Sequence, residues 1–397
     1  MPGAGVRDRR VLLLVAVLLV AVNLRGAIAA VSPVLPQIRA DLGLSPAVAG
    51  LLTALPVLCF ALVAPAAAWL GRRVGLEKAI LAGCLGIAVG TVVRVLDGTS
   101  LLLLGTLVVG AAMTLGNVLV PVVVKRDFAA RASSLTGLYT AALCAGAAAT
   151  AARGAVSAAV TSWRFGLAGW ALLAVLAAVV WVVAVRGRRG TSAAVEAPPL
   201  RQGGVWHHPL AWAVAMFLGS QSVAYYTVTA WLPTLLVDEV GIDLATAGVG
   251  MSVFQVLGIA GTLLIPALVE RREQQGWLAV GVAAGWAVMI AGLLLWPAAW
   301  MAWTVVGGVA QGAGLSLAFT LLVLRSHDHH AARGLSGMAQ LVGYTMGAGG
   351  PVVAGLLYER TGGWSAPLLL LLVTTALMGV AGVAAGKDRT VGQLVAQ

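Results

Sequence analysis

Long apolar runs separated by short polar turns repeat from one end of the chain to the other. Twelve can be marked, at 11–36, 46–70, 78–96, 100–124, 133–158, 163–186, 209–236, 245–269, 277–296, 298–324, 333–358 and 364–386. An α-helix needs about 20 apolar residues to cross the hydrocarbon core of a bilayer, whereas a barrel strand needs only about 10. Inside hydrocarbon the backbone must satisfy its own hydrogen bonds, which a helix does within one segment. The pattern predicts an all-α integral membrane protein with twelve transmembrane helices. The first run outlasts a signal-peptide core and shows no convincing small-residue cleavage site, so it reads as a retained helix.

One turn is long. Residues 186–208, RGRRGTSAAVEAPPLRQGGVWHH, are rich in Gly, Pro and charge and read as a linker. It divides the chain into two six-helix bundles, 1–185 and 209–397. The halves echo each other. Leu35-Pro36, Asp41 and Ala49-Gly50 recur as Leu232-Pro233, Asp238 and Ala247-Gly248, and Leu135-Thr136-Gly137 recurs as Leu335-Ser336-Gly337. Parallel six-helix repeats are a transporter architecture, with the solute site at mid-membrane between the halves.

Composition supports this reading. The chain of 397 residues is 60% hydrophobic and 10% charged, against about 25% charged for soluble domains. The net charge of +11 suggests nucleic acid until the charges are placed. With the N-terminus inside, 19 of the 25 Lys and Arg fall on the cytoplasmic side and 5, including Arg94, in the opposite loops; Arg25 stands apart. That asymmetry predicts a multi-pass protein of the cell membrane with both termini cytoplasmic and no nucleic-acid partner. Cys59, Cys84 and Cys144 lie in separate apolar runs and read as packing residues.

Arg25 sits near the middle of the first run. A guanidinium in hydrocarbon costs about 2.5–3.5 kcal/mol on insertion scales, so it should face a polar interior. All 14 acidic residues fall in loops, tails or helix ends, which leaves Arg25 without a buried carboxylate. A solute anion or polar group can take that place. Under the repeat its counterpart is Ser222, so one cation faces only a hydroxyl. Polar residues in other runs complete a candidate solute site: Asn117, Tyr139, Gln221, Tyr225, Tyr226, Trp231, Gln340 and Tyr344. Asn23 lies about 200° around the helix from Arg25 and is expected to brace a neighbour.

Several stretches resemble the cyanate/2-nitroimidazole porter branch of the major facilitator superfamily. They are NLRGAIAAVSPVLPQIRADLGLS at 23–45, GNVLVPVVVKRDF at 116–128, SSLTGLYT at 133–140, SVAYYTVTAWLPTLL at 222–236 and LSGMAQLVGYTMGAGGPVVAGLLYERTGGW at 335–364. The resemblance implies a twelve-helix major facilitator fold that rocks about one central site and handles small anions or nitroheterocycles. A monomer is expected, with the bilayer and a small solute as its partners and no cofactor. At 68–75 the superfamily's G-x-x-x-D-R-x-G pattern reads AWLGRRVG, with Arg72 at the acidic position, so the usual carboxylate latch is not expected there. A proton-coupled multidrug exporter is the alternative, but it calls for a membrane-embedded carboxylate. An enzyme would need a buried nucleophile–base set or metal ligands, and none is found. His327-Asp328-His329-His330 reads as a solvated turn rather than a metal site. Trp69, Trp163, Trp206, Trp277, Trp296 and Trp364 lie at segment ends and read as an interfacial belt.

Overall fold

The structure is a computed structural model and describes residues 4–128, 132–160, 162–186, 204–271 and 274–391. Most of the 186–208 linker lies outside the described residues. The first run is two helices, α1 (Ala4–Ala29) and α2 (Leu35–Leu42), joined through a 3-10 turn at Ser32–Val34. Pro33 and Pro36 cause the break, because a proline lacks the N–H that continues a helix. The Val31 amide bonds Ile28 rather than Ala27, which leaves the Ala27 carbonyl without its helical partner. The second run is also broken, into α3 (Pro46–Leu62) and α4 (Ala64–Val74), bent by 58° where Pro65 restarts the helix.

The remaining helices are α5 (Leu76–Val93), α6 (Thr99–Asp127), α7 (Ala132–Val160), α8 (Trp163–Val185) and α9 (Pro209–Val240). They continue as α10 (Leu244–Val269), α11 (Gly276–Leu295), α12 (Trp300–Leu324), α13 (His329–Thr361) and α14 (Ser365–Ala385). Among the described residues, nine spans are long and apolar enough to cross a membrane, and the bent α3–α4 pair makes a tenth. The expected twelve are not all met by this criterion. Of α7 the described side chains include the shorter apolar stretch Gly137–Ala152, and α9 is absent from the set. Yet α9 is buried without interruption from Ala224 to Leu236. Wrapped by protein rather than lipid, it can carry Ser220, Gln221, Ser222, Tyr225, Tyr226, Thr227 and Thr229 at membrane depth.

In the first half α1 packs on α7 and α8, and α5 on α6 and α8; in the second, α9 packs on α13 and α14, and α10 on α12. The halves meet where α3 packs on α13 and α7 on α10. The meeting is tightest towards the end that bears Asp41 and Asp238. A Cβ added to Gly50 would lie 2.6 Å from the Pro351 carbonyl oxygen, one on Gly355 would strike the Pro46 carbonyl, and the Ser252 hydroxyl donates to the Ala148 carbonyl at 2.9 Å.

At that end the repeat becomes visible as matched bonds. The Trp163 indole N–H donates to Asp41 at 3.0 Å, and the Trp364 indole N–H donates to Asp238 at 2.9 Å. Both tryptophans are buried, at 3% and 2% exposure, so these two belong to an internal lock rather than to the expected interfacial belt. Arg164 adds ion pairs to Asp41 and Asp97 in the first half, and Tyr358 donates to Asp238 in the second. At the opposite end Glu77 pairs with Arg126 at 2.7 Å, so the loop that carries Arg72 in the acidic position still has a carboxylate–guanidinium pair.

Two arginines expected in loops are buried instead. Arg325 is 2% exposed and donates to the Ala385 and Gly386 carbonyls and to Gln275. Arg94 is 1% exposed, and its Nη1 donates to the Ala27 carbonyl at 3.0 Å. Arg94 follows the last residue of α5, and a long side chain there reaches back into the bundle, which a boundary drawn from hydropathy does not reveal.

Candidate functional site

Arg25 lies four residues before the end of α1, and the break after Ala29 fixes how far that helix extends. Its guanidinium points away from α8 and towards the second half. Nη1 donates to the Cys144 sulfur of α7 at 3.5 Å, and the guanidinium carbon sits 4.4 Å from the centroid of the Tyr225 ring on α9. Tyr226 and Tyr344 interact with it electrostatically, and Tyr139 does so from α7. Four of the chain's five tyrosines therefore gather around one guanidinium. Arg25 keeps partial exposure and has no ion-pair partner among the described residues.

The aromatic wall is ordered by its own contacts. Tyr225 and Tyr226 meet edge to face at 4.9 Å, Tyr225 stacks on Phe254 of α10 at 6.4 Å, and Tyr344 meets Phe60 of α3 edge to face at 5.9 Å. The Tyr225 hydroxyl donates to Gln255 Oε1 at 3.2 Å, while Gln255 is fully buried and its Nε2 has no acceptor. Gln255 was not legible as a site residue, because a lone glutamine in an apolar run carries no spacing signal. Ser252, one turn before Gln255 on α10, bonds Ala148 of α7, and Ala148 is one turn beyond Cys144. The two antiparallel helices thus bring Gln255 and Cys144 to one level beside Arg25 and Tyr225.

Of the other expected residues, Gln221 and Trp231 are engaged elsewhere in the second half, and Gln340 and Asn117 flank the cluster. Both ends of the Gln221 amide are engaged inside the second half: Nε2 donates to the Gln311 carbonyl at 2.9 Å, and Oε1 accepts from the Trp286 indole at 2.9 Å. Trp231 is 2% exposed, donates to the Pro351 carbonyl at 2.9 Å and packs 5.5 Å from Trp364. It lines a small apolar gap with Leu232, Ile290, Leu293, Pro367 and Leu371. Gln340 is half-buried one turn before Tyr344 and donates to Ser336 at 2.7 Å. Asn117 is half-buried on α6 with no hydrogen bond among the described residues, next to Gly116, which packs against Leu24 of α1. Asn23 donates to the Leu19 and Leu173 carbonyls, tying α1 to α8 on the face away from Arg25. Asp328 caps α13 by accepting from the Ala331 amide at 2.7 Å, which gives the His-rich turn a structural use.

Chemically the cluster offers one uncompensated cation, four phenols, a thiol and flat aromatic faces. That set attracts a monoanion or a planar polar solute and offers no proton-accepting carboxylate: no acidic side chain is buried among the described residues.

The profile of the Major Facilitator Superfamily matches residues 17–348. The chain is 36% identical to the 2-nitroimidazole transporter of Escherichia coli, over 96% of this chain and 97% of that protein. It is 31% identical to the cyanate transport protein CynX of the same organism, over 87% of each. Against an uncharacterized transporter, YycB of Bacillus subtilis, identity is 36% over 96% of this chain and 95% of that one. In fold it is similar to the nucleoside transporter NupG, with a TM-score of 0.77 at 13% identity over 94% of this chain and all of that one. A bacterial Spinster homolog in an inward-facing, occupied conformation gives 0.76 at 16% identity over 95% and 96%.

Proposed function

The chain belongs to the Major Facilitator Superfamily, as a multi-pass membrane transporter and not an enzyme, and we propose that it moves a small monoanion or planar polar solute held at Arg25. The observation that carries this reading is the convergence of Tyr139, Tyr225, Tyr226 and Tyr344 on a guanidinium with no carboxylate partner among the described residues. Cyanate-like anions and nitroheterocycles are the solute classes, since the similar proteins are named for cyanate and 2-nitroimidazole. The multidrug reading with proton antiport loses support from the absence of buried carboxylates among the described residues.

In this mechanism Arg25 supplies the charge, Tyr225 and Tyr226 form an amphipathic wall from the second half, and Tyr139 and Tyr344 close it from α7 and α13. The bundles 1–185 and 209–397 rock about the α3–α13 and α7–α10 contacts, with the monomer as the working unit. The protein sits in the cell membrane with both termini in the cytoplasm, so the tightly packed Asp41/Asp238 end faces outwards. Labelling of the 186–208 linker from outside intact cells would reverse that orientation.

The test uses proteoliposomes at equal folded yield. Arg25→Gln is expected to abolish saturable cyanate and 2-nitroimidazole flux, and Arg25→Lys to retain part of it, because an ammonium keeps the charge but loses the planar stack on Tyr225. Full transport by Arg25→Gln removes Arg25 from the site.

A further inference from the structure

Arg94 is the buried charge that the transport reading leaves unused. It is 1% exposed, no carboxylate pairs with it among the described residues, and its Nε and Nη2 meet no acceptor. An isolated guanidinium in a membrane bundle is costly and marks a function. Its one bond shows where that function lies. Nη1 reaches the Ala27 carbonyl at 3.0 Å, the group orphaned when Val31 turns to Ile28 at the break of α1. The backbone beneath Arg94 is held closely, since a Cβ on Gly105 of α6 would strike the Arg94 amide nitrogen and the Gly90 carbonyl.

The last turn of a helix carries about half a negative charge on its unsatisfied carbonyls. Here that turn begins within two residues of Arg25, so an uncapped end would offset much of the attraction Arg25 exerts on an anion. We infer that Arg94 is a positioning residue for the solute site: it caps the broken end of α1, holds the turn that presents Arg25, and cancels the negative charge of that end. The inference rests on the reading of Arg25 as the anion site for its electrostatic part only. Helix geometry puts the two guanidinium groups on the order of 10–12 Å apart across α1. At that separation and an effective dielectric near 20, loss of one charge weakens monoanion binding on the order of tenfold.

Two readouts test it in purified full-length protein, with Arg94→Met, which loses donor and charge, and Arg94→Lys, which keeps the charge. The first is hydrogen–deuterium exchange, which needs no solute. Peptides covering 26–34 are expected to exchange several-fold faster in Arg94→Met and close to the unaltered rate in Arg94→Lys, while α9 to α14 keep their protection. Unchanged exchange across 26–34 in Arg94→Met overturns the capping role. General acceleration in every helix also overturns it, because Arg94 would then only hold the fold. The second is cyanate affinity, expected to fall about tenfold in Arg94→Met and to recover in Arg94→Lys. Cyanate affinity that is unchanged in Arg94→Met overturns the electrostatic role. If unaltered protein does not bind cyanate and Arg25→Gln transports normally, the solute-site reading fails, and the exchange readout still decides the capping role.

Discussion

The contact between Gly355 and Pro46 offers a direct way to unbalance the two halves. Gly355 lies in α13 and Pro46 opens α3, so the contact joins the bundles at the end that bears Asp41 and Asp238. A Cβ at position 355 would strike the Pro46 carbonyl oxygen and lie 3.1 Å from a ring carbon of Trp231. The oxygen belongs to backbone at a helix start, so no flexible side chain can yield. Overpacking of this kind costs about 1–3 kcal/mol. Alanine's helix preference over glycine acts alike in both states, since position 355 stays helical, and so it does not enter this balance. Gly355→Ala therefore weighs about 1–3 kcal/mol against the state with this end closed, and Gly355→Leu sits at or above the upper bound. In population terms 1.4 kcal/mol is tenfold, so leucine shifts the balance by roughly a hundredfold or more towards a state with this end open.

Spin labels at Ser100 and Ser365, exposed residues in the first turns of α6 and α14, report the separation of the halves at this end. Pulsed dipolar spectroscopy is expected to show a second, longer distance in Gly355→Leu, and a smaller fraction of it in Gly355→Ala. Gly50→Ala, whose Cβ meets Pro351, should act in the same direction. A single unchanged distance in Gly355→Leu, with folding preserved, refutes the view that this packing closes the transporter.

Two further outcomes follow from the local geometry. Tyr225→Leu removes the ring 4.4 Å from the Arg25 guanidinium and should weaken solute binding by roughly two- to thirtyfold, from about 0.5–2 kcal/mol of cation–π interaction. Tyr225→Phe and Gln255→Met keep that ring and should lose less than Tyr225→Leu in the same calorimetric titration; equal losses in all three would show that the ring face is not what matters. Asp243 caps α10 by accepting from the Thr246 hydroxyl at 2.6 Å and amide at 3.0 Å, and these bonds hold its carboxyl below the ordinary value of 3.8. Because the folded value is the lower one, the cap contributes fully above pH 3.8 and is lost as the pH falls through the folded value. Amide exchange at 244–248, corrected for intrinsic rates, should therefore be flat from pH 7 down to about 5 and accelerate only in stronger acid; Asp243→Ala should already be fast at pH 7.

Hydropathy made the membrane class and the succession of spans readable, because an apolar run longer than the bilayer has few other fates. One described span that falls short, α9, shows where the same reasoning weakens. A helix enclosed by protein need not be apolar, so α9 can carry a run of hydroxyls and an amide that lower its hydropathy. Arg25 and the tyrosines were legible because a charge or a phenol at membrane depth demands a polar surrounding. Their convergence was not, since it depends on α1, α7, α9 and α13 meeting side by side.

Gln221 and Gln340 show the limit from the other direction. A buried amide must bond something, but sequence does not say whether the partner is a solute or a neighbouring helix; the fold gives Gln221 to Gln311 and Trp286, and Gln340 to Ser336. Arg94 is the sharpest case. Counted as a loop charge in the asymmetry of Lys and Arg, it turns its side chain inward to the Ala27 carbonyl. One-dimensional information carries the length and polarity of each segment, and a bilayer responds to those two properties directly. Which orphaned carbonyl a long side chain reaches depends on how helices distant in the chain pack, and here only the packed bundle brings Arg94 to the broken end of α1.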